Sequence, residues 1–142
     1  NSGKSVLRTS EWSAQLSDAS LKQADIVLGD TMGEMFTYYA IADVVLMGGT
    51  WLPYGGQNFL EPMALGKPVI VGESIYNFEQ IGLDALEKGV LWQAPNIPAG
   101  LALMDEKIVS IAKESGDLRI QKISCFVQSE CGAVEYLNRV LL

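Results

Sequence analysis

A chain of 142 residues, 49% apolar and 19% charged, has the size and balance of one ordinary globular domain. Its formal net charge of −7 argues against a nucleic-acid backbone as partner, which needs clustered Lys and Arg, but leaves room for a nucleotide held by main-chain amides. No apolar run reaches the roughly 20 residues of a membrane span, no signal peptide opens the chain, and the absence of histidine rules out an imidazole base.

The first twenty residues, Asn1 to Ser20, form a polar leader without clear periodicity, and Asn1-Ser2-Gly3-Lys4 is compatible with an expression scar. Asp25-Ile26-Val27-Leu28-Gly29 predicts a buried strand. Gly33 to Ala42 has helical spacing, with Met35, Tyr38, Tyr39 and Ala42 expected on the core face. Asp43 to Gly49 predicts a second strand whose apolar run is continuous, as suits a parallel sheet covered on both faces.

A loop from Thr50 to Gln57, with Pro53 and paired Gly55-Gly56, leads to a short helix over Asn58–Gly66 stopped by glycine. Lys67 to Gly72 is the third strand. A helix after Asn77 runs to about Lys88, and Gly89 to Trp92 is the fourth strand. The tail from Pro98 is helical to Leu142, with a break near Ser115-Gly116-Asp117. Cys125 and Cys131 lie in that tail with neither disulfide nor metal spacing, and are expected as ordinary helix residues of a reducing compartment. Short strands alternating with helices predict an α/β, Rossmann-like, three-layer domain with a parallel sheet, occupying residues 1–142 as one unit.

Ligands of such sheets sit in the loops that leave the carboxyl ends of strands. Two of these loops carry unusual chemistry: Gly29-Asp30-Thr31-Met32-Gly33-Glu34, and Gly48-Gly49-Thr50 through Gly55-Gly56-Gln57-Asn58 to Glu61. Thr31-x-x-Glu34 and Asn58-x-x-Glu61 each fit a capping box, which by itself needs no ligand. The glycines flanking the second box let a phosphate come close to amides around Gly56 to Phe59, while Glu61 could accept hydrogen bonds from two ribose hydroxyls. Trp51 and Tyr54 suit either stacking on a ligand or covering the domain edge. Arg8 and Ser10 are further phosphate candidates, Lys67 is expected to meet the carbonyls ending its helix, and Asn77 with Ser74 reads as another cap.

Gly29-Asp30-Thr31-Met32-Gly33-Glu34-Met35, Tyr39-Ala40-x-Ala42-Asp43-Val44 and Gly48-Gly49-Thr50 resemble the C-terminal domain of 3-deoxy-D-manno-octulosonic acid (Kdo) transferases. So do Gly55-Gly56-Gln57-Asn58-x-Leu60-Glu61-Pro62-x-Ala64-x-Gly66-Lys67-Pro68-Val69, Gly72 and Asn77-Phe78, over a stretch from about Arg8 to Ile81. The resemblance implies the C-terminal half of an inverting GT-B glycosyltransferase that moves Kdo from CMP-Kdo to a lipid A precursor, without a metal or other cofactor, at the cytoplasmic face of the inner membrane. It implies donor contacts from Thr31, Met32, Gly33, Glu34, Gly55, Gly56, Gln57, Asn58 and Glu61, and it strengthens Arg8 and Ser10 as members of an Arg-x-Ser segment. The family usually has His where this chain has Gln57, which can donate a hydrogen bond but cannot carry a proton. The family's N-terminal acceptor domain, membrane anchor, catalytic carboxylate and first βα unit have no counterpart in these residues. The fragment is therefore expected to bind donor without turning it over. A related transferase or epimerase using a UDP-sugar, and a non-catalytic domain with purely structural caps, remain the alternatives.

Overall fold

The structure, a computed structural model, describes residues 3–11, 23–113 and 117–131. The expected scar at its first two residues, most of the leader after Glu11, the break at Ser115-Gly116, the Cys131 side chain and the end of the tail lie outside the described residues. The elements in chain order are β1 (Val6–Arg8), a 3-10 turn (Thr9–Glu11), β2 (Ile26–Leu28), α1 (Met35–Ile41), β3 (Val45–Leu46) and α2 (Leu60–Ala64). They continue with β4 (Val69–Val71), a 3-10 turn (Tyr76–Phe78), α3 (Glu79–Glu87), β5 (Leu91–Gln93), α4 (Ile97–Lys113) and α5 (Asp117–Cys131). Every strand pairing is parallel, and the fold is the expected α/β class.

The chain divides into two compact units, Asn1–Thr37 and Tyr38–Leu142. In the first, β1 pairs with β2 with Val6 opposite Ile26 and Arg8 opposite Leu28. A strand in the polar leader was not expected. Nor is β2 buried as its sequence suggests: Ile26, Val27 and Leu28 are 48%, 44% and 40% exposed. Its apolar run faces one parallel neighbour, β1, which is itself mostly exposed.

The second unit holds the core. Its sheet has the order β3-β4-β5, and the central strand Val69-Ile70-Val71 is wholly buried, as its unbroken apolar run requires. Phe59, Met63, Val90, Leu91, Ile123, Phe126 and Val127 pack with it, and the Phe59 and Phe78 rings lie 5.3 Å apart at a 60° tilt. Tyr39 joins this core, whereas Met35 is 54% exposed, because α1 is only seven residues long and turns one narrow face inward.

Two helices return to the sheet by the same device. At the end of α2, the Gly66 N–H bonds the Met63 carbonyl (2.9 Å) and the Lys67 N–H bonds the Pro62 carbonyl (3.0 Å), with Gly66 at φ 70°. At the end of α3, Gly89 bonds Leu86 (3.1 Å) and Val90 bonds Ala85 (3.0 Å) in the same pattern. These are Schellman closures, which satisfy the last helical carbonyls and aim the chain back at the sheet. The Lys67 ammonium reaches the Ala40 carbonyl at 2.8 Å, so it meets the end of α1 and not, as expected, that of its own helix. Ile120 of α5 rests on the Gly66 turn, and its core residues Ile123, Phe126 and Val127 close that side.

Thr50 is the one buried polar residue among the described residues, at 0% exposure. Its hydroxyl donates to the Met47 carbonyl and accepts the Gly72 N–H, both at 2.7 Å, which joins the ends of β3 and β4. Thr50→Val keeps the shape and removes both bonds. It should lower stability by about 1–3 kcal/mol, the cost of leaving a buried amide unmet. Urea unfolding with an unchanged m-value checks this, and an unaltered midpoint would contradict it.

Candidate functional site

The loop between β3 and α2 leaves the carboxyl end of the sheet and returns on itself. Gly56 N–H bonds the Gly49 carbonyl (3.2 Å) and Gln57 N–H bonds the Gly48 carbonyl (3.3 Å), which pinches the loop at its base. Gly55 and Gly56 stand at φ 78° and 81°, two consecutive left-handed residues that a side chain would strain. A Cβ on Gly72 would collide with the Thr50 carbonyl and lie 2.8 Å from the Trp51 nitrogen, so the start of the β4–α3 loop passes directly beneath this base. The Ser74 N–H then bonds the Thr50 carbonyl at 2.9 Å, and the Gln93 carboxamide bonds the Gly72 carbonyl at 3.1 Å.

This closure changes one expectation. The amides of Gly56 and Gln57, expected to face a phosphate, instead hold the loop shut, and the Gly55 N–H donates to Ser74 Oγ at 3.0 Å. Gln57 itself is exposed, and its side chain faces solvent from the loop's end.

The Asn58–Glu61 box is also rearranged. Asn58 Oδ1 accepts the Leu60 N–H at 3.1 Å, two residues on, while Asn58 Nδ2 donates to Glu61 Oε1 at 3.1 Å. A capping box would have crossed backbone and side chain reciprocally; here the two side chains meet each other. The Glu61 carboxylate is therefore oriented by a neutral amide at the start of α2, half-buried beside Tyr39. Burial and, secondarily, the Glu61 charge push the Tyr39 hydroxyl above its ordinary pKa, so it stays protonated.

Ser74 and Asn77 are not caps. The segments they precede carry no side-chain cap bond at Ile75 or Phe78. Asn77 Nδ2 instead donates to the Tyr54 carbonyl (3.1 Å) and the Gly56 carbonyl (3.5 Å). Trp51 covers the sheet edge, with its indole N–H on the Ala94 carbonyl at 3.0 Å. It also lines an open cleft of about 330 Å³ with Thr50, Pro53, Glu73, Ser74 and Tyr76. Tyr54 is 64% exposed.

In the first unit, the candidates gather on Asp30. Its carboxylate accepts from the Ser10 hydroxyl (2.7 Å), the Ser10 N–H (2.8 Å), the Thr9 hydroxyl (3.2 Å) and Arg8 Nη1 (3.3 Å). Arg8 and Ser10, expected on a phosphate, are thus turned to a carboxylate of their own chain. The Thr31 hydroxyl donates to the Glu34 carboxylate just ahead of α1. Met32 is 97% exposed beside Gly33 at φ 87°.

No family model matches the chain. Over 77 residues, 54% of this chain, it is 47% identical to the 3-deoxy-D-manno-octulosonic acid transferase of Bordetella pertussis, and over 60 residues, 42% of it, 42% identical to that of Haemophilus influenzae. These stretches span 18% and 14% of the two relatives, so the chain corresponds to a small part of either. The crystal structure of the C-terminal CMP-Kdo binding domain of WaaA from Acinetobacter baumannii shares the fold. Its TM-score is 0.67 at 24% identity, covering 88% of this chain and 62% of that one. The resemblance to Kdo transferases drawn from the sequence is borne out by these relatives, and the expected α/β fold by the structural likeness.

The four donors around Asp30, Ser10 foremost, hold its carboxyl down from 3.8 to about 2. A carboxylate depressed by folding contributes order above its unfolded pKa and loses it as pH falls through the folded one. The Asp30 contacts should thus be intact at neutral pH and weaken between 3.8 and about 2. Backbone shifts of Arg8, Ser10 and Asp30 should report that transition, and Asp30→Asn should remove it; a midpoint at the ordinary value would refute the arrangement.

Proposed function

We propose that this chain binds the CMP-Kdo donor of a Kdo transferase through the loop that runs from Gly48 to Glu61. One observation carries the reading. A glycine loop closed on itself at the carboxyl end of a parallel sheet delivers a carboxylate, Glu61, whose direction is set by Asn58. Such a carboxylate suits a pair of adjacent hydroxyls, as on a ribose, because it can accept two hydrogen bonds at once.

The phosphate is met differently from the first expectation. With the Gly55, Gly56 and Gln57 amides engaged, the exposed Gln57 carboxamide is a donor at the end of the loop suited to the phosphate. It offers a neutral N–H where a protonated imidazole would have offered charge, so donor binding on this side should vary little with pH near neutrality. Tyr39, kept neutral beside Glu61, adds no competing charge to the ribose side.

In the whole protein this site would serve transfer of Kdo, with inversion, to a lipid A precursor at the cytoplasmic face of the inner membrane. The likeness to Kdo transferases and to a CMP-Kdo binding domain supports the transfer of Kdo from CMP-Kdo, while the acceptor, the inversion and the membrane face are carried by the family resemblance alone. Thr31, Met32, Gly33 and Glu34, with Arg8 and Ser10, remain candidate donor contacts, taken within the first unit by itself.

Titration of the isotope-labelled 142-residue chain with CMP should shift Gln57, Asn58 and Glu61. Glu61→Gln, which keeps an acceptor for Asn58, should weaken CMP about tenfold to a hundredfold through loss of charged hydrogen bonds. Shifts confined to α4 and α5, or a clear preference for UMP over CMP, would sink the donor assignment.

A further inference from the structure

Between Ser74 and Asn77 the chain sends three side chains back to the main chain of residues 53–56. Ser74 Oγ accepts the Gly55 N–H at 3.0 Å. Asn77 Nδ2 donates to the carbonyls of Tyr54 at 3.1 Å and Gly56 at 3.5 Å. The Tyr76 hydroxyl donates to the Pro53 carbonyl at 3.3 Å. Four consecutive residues of the glycine loop are thus held from one short segment of the next strand–helix connection.

The fit is close as well as bonded. A Cβ on Gly55 would stand 2.6 Å from Asn77 Nδ2 and 2.7 Å from Tyr76 Cε2, so the loop backbone lies flat against these side chains. Ser and Asn ahead of a helix ordinarily cap it. Here the helix goes without a side-chain cap and both polar groups turn to the loop. Paired glycines with positive φ have more conformations to lose than any other dipeptide, so an unheld Gly55-Gly56 turn would sample many shapes.

We propose that Asn77, assisted by Ser74, is a positioning residue of the donor site: it holds the Gly55-Gly56 turn in the one shape that presents Gln57 and Asn58 to the nucleotide. The role rests on the donor-site reading above and deepens it. Asn77 acts through the loop and does not touch the donor. Releasing it lowers the fraction of loop in the binding shape, and apparent affinity falls by that fraction.

Asn77→Asp keeps the size of the side chain and replaces the donating Nδ2 with an oxygen that repels the two carbonyls. Against the native chain, it should raise the CMP dissociation constant about fivefold to tenfold. Hydrogen exchange at Gly55, Gly56 and Gln57 should quicken, while amides of β4 and β5 stay protected. Ser74→Ala should repeat the effect more weakly, and Ser74→Thr, which restores a hydroxyl, should bring affinity and protection back. The Ser74 pair decides the matter if Asn77→Asp does not fold. Native CMP affinity in both Asn77→Asp and Ser74→Ala, or weakened affinity with unchanged loop protection, overturns the positioning role while the donor site stands. No CMP-induced shift in the native chain overturns the donor site itself, and this role with it.

Discussion

The Thr50 hydroxyl sits where two strand ends must part and still be satisfied. Met47 has left β3, Gly72 has left β4, and neither peptide group has water to turn to. One side chain donates to the first and accepts from the second, which is only possible if the two backbones come within reach of a threonine. That approach in turn forbids any side chain at residue 72. The Thr50 main chain then takes the Ser74 N–H, so the connection after β4 is fixed to the connection after β3 before either contributes to a ligand site.

From this junction the geometry of the glycine loop follows. Its base is pinched by bonds to the Gly48 and Gly49 carbonyls, its far side lies against Ser74, Tyr76 and Asn77, and its end passes directly into Asn58 and Glu61. A loop rich in glycine is often thought of as a cradle of open amides. Here the amides of Gly55, Gly56 and Gln57 hold the loop's own shape. Order bought in this way costs direct main-chain contact with an anion, but it sets the direction of Glu61 in advance of any ligand.

Much of this was legible in the sequence. Val69-Ile70-Val71 announces a central strand by its unbroken apolar run, Gly66 announces a helix end, and the paired Gly55-Gly56 announces a turn ahead of a short helix. Where the structure differs, the cause is shared: local spacing does not dictate local bonding. Ser74 and Asn77 have the spacing of caps, but their partners lie about twenty residues earlier in the chain, where no short-range pattern can point. In Thr31-x-x-Glu34 and Asn58-x-x-Glu61, which have the spacing of capping boxes, the two side chains also bond each other, and Asn58 takes the Leu60 N–H. Strand β1 was missed because its three residues carry no alternation, and its pairing with β2 is set by the distant Asp25 and Asp30 contacts at either end. Continuous apolar runs are usually buried, but Ile26, Val27 and Leu28 of β2 remain 40–48% exposed, paired with β1.

The twin closures at Gly66 and Gly89 have a consequence for how such a domain can change over time. Both helices end in the same six-residue geometry, although α2 has five residues and α3 has nine. The hinge that sends the chain into the sheet is therefore indifferent to what comes before it. Turns of helix can be added or deleted at the amino end of either segment without moving the strand that follows, so β4 and β5 keep their register while the surface above them diversifies. Lineages would be free to vary the loops around the ligand, with the sheet beneath them left as it was.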